Sequence, residues 1–314
     1  MIKRLVVKGL NHRADGTHDL EFHPDLNIFT GPNGSGKTTL LKLIWYLISG
    51  KLERVLAEIP FQFVLIKTDA FTLEMLQVNP GKIELTWKFA GEKTSTAALT
   101  VYRDTGVLDR RDEGEVKVEA MNQRIAQTTK SSLFFPTFRR IKGEFPCFSG
   151  DKESAAAGSL KEETEVSLNG HRFVDTVSTE DMRQLLAQPY AKRCKNPKAE
   201  LAALSCKILH YGGIRFRDGI VLGEADDAVP SNQLSAGEKQ MLNFLCYNAF
   251  RGNSAVFIDE PEINLHVDWQ RLLLPVLIEQ DTGNQFFVAT HSPFVAVRYP
   301  DREFFLADDW EGEV

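Results

Sequence analysis

Cysteine is scarce in this chain. Its four residues in 314, Cys147, Cys194, Cys206 and Cys246, show no paired spacing for a zinc site or a disulfide framework. They read as ordinary thiols of a cytoplasmic protein. Long hydrophobic runs are absent as well. The most apolar window, around Leu40 to Ser49, is interrupted by Lys42 and falls short of a membrane span. The opening Met1-Ile2-Lys3-Arg4-Leu5-Val6-Val7 is too short and too quickly polar for a signal peptide. Positive charge is not in excess, since 37 Lys and Arg face 43 Asp and Glu for a net charge of −6. That balance gives no bulk pull toward nucleic acid, so any such contact needs a local patch. No heptad repeat runs through the middle of the chain, which excludes a long coiled-coil arm. The length allows one large α/β core plus an insertion, or two modest domains.

What the chain does have is a glycine-rich loop in a specific setting. Residues 31–39 read Gly31-Pro32-Asn33-Gly34-Ser35-Gly36-Lys37-Thr38-Thr39. Glycines let the backbone turn so that consecutive N–H groups point inward at anionic oxygens. A helix that starts at the loop adds partial positive charge at the same place. Lys37 is the point charge for the β- and γ-phosphates, and the Thr38 hydroxyl suits Mg²⁺. Leu26-Asn27-Ile28-Phe29-Thr30 before the loop fits a buried strand, and Leu40-Leu41-Lys42-Leu43-Ile44-Trp45 after it fits a mostly apolar helix. Strand, loop and helix are the context a phosphate-binding loop requires.

Two carboxylates close a second apolar run, Ala255-Val256-Phe257-Ile258-Asp259-Glu260. A continuous apolar run of this length predicts a parallel strand buried on both faces. Ligands of open α/β sheets bind beyond the carboxyl ends of such strands. Asp259 is the candidate to hold Mg²⁺ through its water shell, because Mg²⁺ gives up water reluctantly. Glu260 is the candidate to orient and deprotonate an attacking water. His291 follows a third run, Phe286-Phe287-Val288-Ala289, where a neutral imidazole can hydrogen-bond a γ-phosphate.

Between the loop and the carboxylates stands Leu234-Ser235-Ala236-Gly237-Glu238-Lys239-Gln240, a signature string at the start of a helix. Together with Asp259-Glu260-Pro261-Glu262-Ile263-Asn264-Leu265-His266, Asp268-Trp269-Gln270 and Thr290-His291-Ser292, this order resembles the head of an ABC-type ATPase. Residues 1–50 and about 231–307 are similar to the split heads of the SMC, RecF and OLD group. Within it the chain looks most like the compact AAA-family ATPases of bacterial antiphage defence operons, the Septu and retron-associated kind. Transporter ATPases usually carry Asp where His266 stands. The resemblance implies ATP and Mg²⁺ as cofactors and a head-to-tail homodimer around two ATP molecules. Residues 31–39, Ser235, Gly237 and Glu238 would bind nucleotide, the last three across the interface. Thr38 and Asp259 would serve the metal, and Glu260 and His291 the hydrolysis.

The rest of the chain is read in segments, with residues 1–50 and 231–314 as the two halves of the head. Residues 51–145 form a β-rich subdomain, with antiparallel strands over Phe71–Leu76, Lys82–Phe89 and Ala98–Tyr102 and a turn at Asn79-Pro80-Gly81. Residues 146–230 hold a mobile loop over 148–168 and a helical insertion from Thr179 to Leu209, broken by Pro189 and Pro197. The fold class is therefore α/β, an ATPase head with a mainly parallel core sheet, an antiparallel β subdomain and an inserted helical region. Arg13 and His18 are candidates for the adenine, and Gln123 and Gln127 for the glutamine that senses Mg²⁺, with no choice between them. Arg139 and Arg140 are either phosphate contacts or a solvated pair. Lys192, Arg193, Lys195 and Lys198 form the best patch for nucleic acid or an acidic partner. On α/β helix spacing, Trp269, Leu272, Leu273, Val276 and Leu277 are core.

Two functions from different classes follow. One is an ATP-driven switch of antiviral defence that controls a separate effector, a nuclease or toxin. The other is a RecF-like repair ATPase acting directly on DNA. The short tail after His291 leaves no space for the nuclease domain of OLD-type proteins, so effector chemistry is expected on another polypeptide.

Overall fold

The computed structural model describes residues 1–12, 16–79, 81–100, 113–129, 131–137, 140–141, 170–187, 197–216 and 219–306. Its centre is a six-stranded, all-parallel sheet. In chain order its strands are β3 (Leu26–Thr30), β8 (Ser132–Phe135), β10 (His171–Phe173), β15 (Ala255–Asp259), β16 (Gln285–Ala289) and β17 (Glu303–Phe305), arranged β10-β8-β15-β16-β3-β17. An antiparallel sheet of β1 (Ile2–Lys8), β2 (Thr17–Glu21), β4 (Phe63–Thr68), β5 (Phe71–Asn79), β6 (Lys82–Phe89) and β7 (Ser95–Thr100) runs in the order β2-β1-β4-β5-β6-β7. Smaller pairings join β9 (Arg140–Ile141) to β11 (Thr176–Val177), and β12 (Gly213–Arg215) to β13 (Val221–Gly223) and β14 (Ala228–Pro230).

The helices are α1 (Lys37–Ile48), α2 (Leu52–Glu58), α3 (Glu113–Thr129), α4 (Thr179–Ala187), α5 (Pro197–Leu209), α6 (Ala236–Phe250), α7 (Val267–Glu279) and the short α8 (Pro293–Ala296). Apolar residues alternate to the two faces of the parallel sheet, which is why its strands read as unbroken hydrophobic runs. Phe29, Phe134, Phe257 and Phe287 share one core with α1 and the antiparallel sheet. Leu26, Ile28, Val256, Ile258, Phe286 and Val288 share another with α4 to α7. On the first face the rings of Phe173, Phe134, Phe257 and Phe287 stack across four adjacent strands, with centroids 5.4, 6.1 and 4.9 Å apart in turn. The α1 helix, enclosed between the two sheets, is buried on nearly every side.

The structure adds detail to the expected segments. The β-rich interval 51–145 also holds α2 and the 17-residue α3. Val118, Met121 and Ile125 of α3 are spaced at i, i+3 and i+7 and turn inward. Sheet membership also crosses the expected segments, since β1 and β2 join the antiparallel sheet and β8 the parallel one. The described helices of the region Thr179–Leu209 are α4 and α5, and Pro197 opens α5, the position where its missing N–H costs nothing. The signature helix α6 is buried almost all round, including Gln240, Asn243 and Asn248. Leu272 is 37% exposed, and Leu274 takes its place in the core. Residues 148–168, with Arg13, Cys147, Arg139, Lys192, Arg193, Cys194 and Lys195, lie outside the described residues. Lys198 is exposed on α5. Burial pushes the Cys246 thiol up to about 12, which makes it inert. No helix among the described residues is long and apolar enough to cross a membrane.

One buried polar chain ties α1 to the sheet. Trp45 Nε1 donates to Ser132 Oγ (3.0 Å), Ser132 lies 2.8 Å from His171 Nδ1, and His171 Nε2 lies 3.0 Å from the Ala126 carbonyl. Each group is satisfied if Ser132 donates to Nδ1 and Nε2–H donates to Ala126. Burial lowers the pKa of His171, so the imidazole stays neutral in the fold below the pH at which a free one takes a proton. The unfolded chain then binds the extra proton. Stability contributed by this site is complete above about pH 6.5 and falls by about 1.4 kcal/mol per pH unit below it, until the lowered folded pKa is passed. Denaturant titrations from pH 7 to 5 should show this slope in the wild type and lose it in His171→Gln. Equal slopes would remove His171 as the cause.

Candidate functional site

The site is built at the carboxyl ends of β3, β15 and β16, which lie side by side in the parallel sheet. The loop after β3 turns through Gly31, Gly34 and Gly36, all with positive φ (137°, 84° and 95°), a region open to glycine at no steric cost. Gly31 has a second constraint, because a Cβ there would stand 2.3 Å from the Leu306 carbonyl oxygen, just beyond β17. The N-terminus of α1 has Gly36 at its cap and no side chain satisfying it. By contrast, Ser235, His266 and Ser292 cap α6, α7 and α8 with their own side chains. An uncapped helix start facing a glycine loop fits an anion. Lys37 lies across the loop, its ammonium donating to the carbonyls of Gly31 (2.9 Å) and Pro32 (2.8 Å). Asn11 Nδ2 reaches Thr39 Oγ1 at 3.4 Å, which brings the polar loop after β1 to the start of α1.

Asp259 ends β15 and is 1% exposed. The Thr38 hydroxyl stands 3.0 Å from each of its carboxylate oxygens. Two predicted metal residues, 221 positions apart, thus meet in one contact. The Thr137 hydroxyl, just past β8, also donates to Asp259. Nothing in the sequence singled out Thr137. It is found only because β8 is the neighbour of β15 in the sheet. Gln123 and Gln127 are exposed on α3. Among the described residues no group of three or more His, Cys, Asp and Glu gathers. One hydroxyl and one carboxylate, with water completing the shell, make an all-oxygen donor set of the kind that a hard cation such as Mg²⁺ takes.

Glu260 and His291 come together as well, His291 Nε2 lying 3.3 Å from Glu260 Oε1. Glu260 has φ +45°, a left-handed backbone that a non-glycine residue adopts at a cost of about 1 kcal/mol or more. Its N–H donates to the Ala289 carbonyl (2.8 Å), which pins the turn to the next strand. Glu262 holds the histidine loop. One carboxylate oxygen accepts from the backbone N–H groups of His291 (2.8 Å) and Ser292 (3.0 Å), the other from the Thr290 hydroxyl (2.8 Å).

The signature residues have local duties. Ser235 and Glu238 form a reciprocal cap at α6: Ser235 N–H donates to Glu238 Oε2 (2.6 Å) and Glu238 N–H to Ser235 Oγ (3.3 Å). The Tyr211 hydroxyl donates to the other oxygen of Glu238 (2.8 Å). Burial works against ionisation of Glu238, but the Ser235 backbone, Tyr211, the Ser235 side chain and Lys239 outweigh it and hold the carboxyl low. The Glu238 carboxylate is therefore engaged within its own chain. The spacing Ser-x-x-Glu was the available sign of this cap. Gly237 is where α6 meets the 261–266 loop, as a Cβ there would stand 2.5 Å from the Asn264 carbonyl oxygen. Ser235 keeps its hydroxyl hydrogen as a donor at the helix start.

Comparison with known proteins gives a family and several relatives. The family profile described as "AAA domain" matches residues 5–174, and one described as "AAA domain, putative AbiEii toxin, Type IV TA system" matches residues 191–298. The OLD nuclease of Thermus scotoductus is 26% identical over 321 residues, covering 94% of this chain and 60% of that protein. The DNA replication and repair protein RecF of Psychromonas ingrahamii is 34% identical over 85 residues, 27% of this chain and 23% of RecF. The "Retron Ec83 probable ATPase" of Escherichia coli is 36% identical over 76 residues, 20% of this chain and 14% of the other. The chain thus spans only part of the length of these relatives. It belongs to the AAA-domain family.

Proposed function

We propose that the chain binds and hydrolyses ATP as a head-to-tail homodimer and that its nucleotide state controls a separate effector in antiphage defence. The observation that carries the ATPase reading is the meeting of Thr38 with Asp259 and of Glu260 with His291 at one sheet edge. Residues 31–39 would cradle the triphosphate with backbone N–H groups, Lys37 turning from the loop carbonyls to the β- and γ-oxygens. Mg²⁺ at Thr38 and Asp259 would neutralise charge on those oxygens. Glu260 would orient the attacking water and take its proton. The Ser235 hydroxyl and the uncommitted side of the α6 N-terminus would meet the γ-phosphate held by the other subunit. Two such composite sites imply a two-fold axis.

The effector role rests on the likeness to a retron ATPase over a fifth of the chain. ATP favours the closed dimer because its γ-phosphate is touched by both subunits, whereas ADP lacks that group. Sedimentation of the purified chain with Mg²⁺ and ATP, with ADP, and with nucleotide omitted tests the dimer. ATP alone should shift monomer to dimer, and Lys37→Ala should abolish the shift. Monomer under all conditions would overturn the reading. A RecF-like role on DNA is favoured by the RecF match and by exposed Lys198. Steeply salt-dependent DNA binding by the isolated chain would select it.

A further inference from the structure

A hydrogen-bonded bridge inside one chain runs from the signature helix to the histidine loop. Gln240, in the second turn of α6, is 2% exposed. Its amide nitrogen donates to the carbonyls of Pro261 (3.1 Å) and Ile263 (2.8 Å). The residue between those two carbonyls is Glu262, whose carboxylate accepts from Thr290, His291 and Ser292. One side chain from α6 therefore grips the 261–263 loop by its backbone, and one side chain of that loop grips the backbone of the next. His291, at the end of the path, faces Glu260.

The chemistry makes the bridge stiff. Both hydrogens of the Gln240 amide go to carbonyls of one loop, and the Glu262 carboxylate is an acceptor filled by donors of the other. A displacement of α6 must carry the 261–263 backbone with it or break both hydrogen bonds of a buried amide, a state with a desolvation penalty. A second tie comes from α7, where Gln270 accepts from the Ser292 hydroxyl (2.6 Å) and donates to the carbonyls of Leu265 (3.0 Å) and, more weakly, Glu262 (3.5 Å), leaving the Glu262 carboxylate untouched. That tie holds the same loop without involving α6.

We propose that Gln240 and Glu262 are positioning residues that make the placement of His291 depend on the state of the signature helix. Resting on the head-to-tail dimer proposed above, this means that a chain whose signature engages the partner's ATP resets the histidine beside its own ATP. The two sites then act together.

The test is ATPase rate against ATP concentration in the full chain, with dimer formation followed by sedimentation in parallel. The wild type should give a Hill coefficient above 1, up to the two-site limit of about 2. Gln240→Leu keeps the side-chain volume and removes the donors. It should still dimerise with ATP and bind nucleotide as tightly, yet give a coefficient of about 1. Gln240→Met serves if the leucine variant fails to fold. Glu262→Leu should lose cooperativity as well. Glu262→Gln, whose amide oxygen can still accept from the His291 and Ser292 N–H groups, should restore it. Gln270→Leu loosens the loop from the α7 side and should leave cooperativity intact.

Dimers of Gln240→Leu with wild-type cooperativity overturn the relay alone, as does a Gln270→Leu variant that loses cooperativity equally. A wild type that dimerises but shows a coefficient of 1 overturns it too. A wild type that never dimerises with ATP instead overturns the dimer reading, and the inter-site role with it.

Discussion

Glu260→Gln should bind ATP as the wild type does and cleave it about 10²- to 10⁴-fold more slowly, the usual contribution of a positioned general base. Gln has the shape of Glu and keeps an oxygen that can orient water, but it cannot take a proton at neutral pH. The left-handed backbone at Glu260 and its tie to Ala289 involve no side-chain atom, so the turn should persist in the variant. Binding rests on the loop after β3 and on Lys37, which the substitution does not touch. The consequence is an ATP-bound dimer that accumulates instead of turning over. Single-turnover hydrolysis, nucleotide affinity and sedimentation, measured on the same preparation, check the three parts. Unchanged hydrolysis would remove Glu260 from its assigned role, and loss of affinity would show that its effect is on binding. Partner retention should then match between this variant and the wild type with ATP, and drop with ADP.

The second large effect concerns Gly31. Ala at this position meets two obstacles at once, a φ of +137° and a backbone oxygen, that of Leu306, at 2.3 Å from the new methyl carbon. A flexible side chain could swing aside, but the Leu306 carbonyl belongs to the segment whose N–H bonds the Thr30 carbonyl (2.8 Å). Relief requires β17 to slide off β3 or the phosphate loop to open. We expect a loss of about 3 kcal/mol or more, combining left-handed strain with overpacking. Gly34→Ala is the internal control, having φ +84° but no atom within 4 Å of its Cβ, and should cost only about 1–2 kcal/mol. Denaturant midpoints of the two variants compare them directly. Equal midpoints would mean that Leu306 yields freely and that β17 does not brace the loop.

Much of this site was legible because its parts are local. The loop at 31–39 carries its own turn chemistry, and the strands before it and at 255–259 carry continuous apolar runs that only a sheet covered on both faces makes stable. Glu260 and His291 could each be chosen by their place at a strand end. What was not legible depends on which strands are neighbours. Thr137 approaches Asp259 only because β8 lies beside β15, and Glu262 meets His291 only because β15 lies beside β16. Gln240 looked like part of a signature, while its bonds go to carbonyls 21 and 23 residues away. The helix α3 was missed for another reason. Its inward residues Val118, Met121 and Ile125 are spread among charged and polar ones, so the pattern is faint until β7 and α1 supply a surface to bury them. The cap formed by Ser235 and Glu238 had a readable spacing, which the signature reading obscured.

The order of strands in the parallel sheet also sets a timetable. Leu26 of β3 pairs with Phe286 of β16, and the Ile2 backbone is held by the Gln285 side chain 283 residues later. At roughly 5–20 residues per second, a ribosome makes that interval in about a quarter of a minute to a minute. Throughout that time the phosphate loop is synthesised but β3 lacks both of its neighbours, so its apolar faces and edges are bare. Closing such distant contacts late is entropically costly and slow. The nascent chain should therefore depend on holdase chaperones until β16 emerges, and fragments ending before residue 285 should aggregate rather than bind nucleotide.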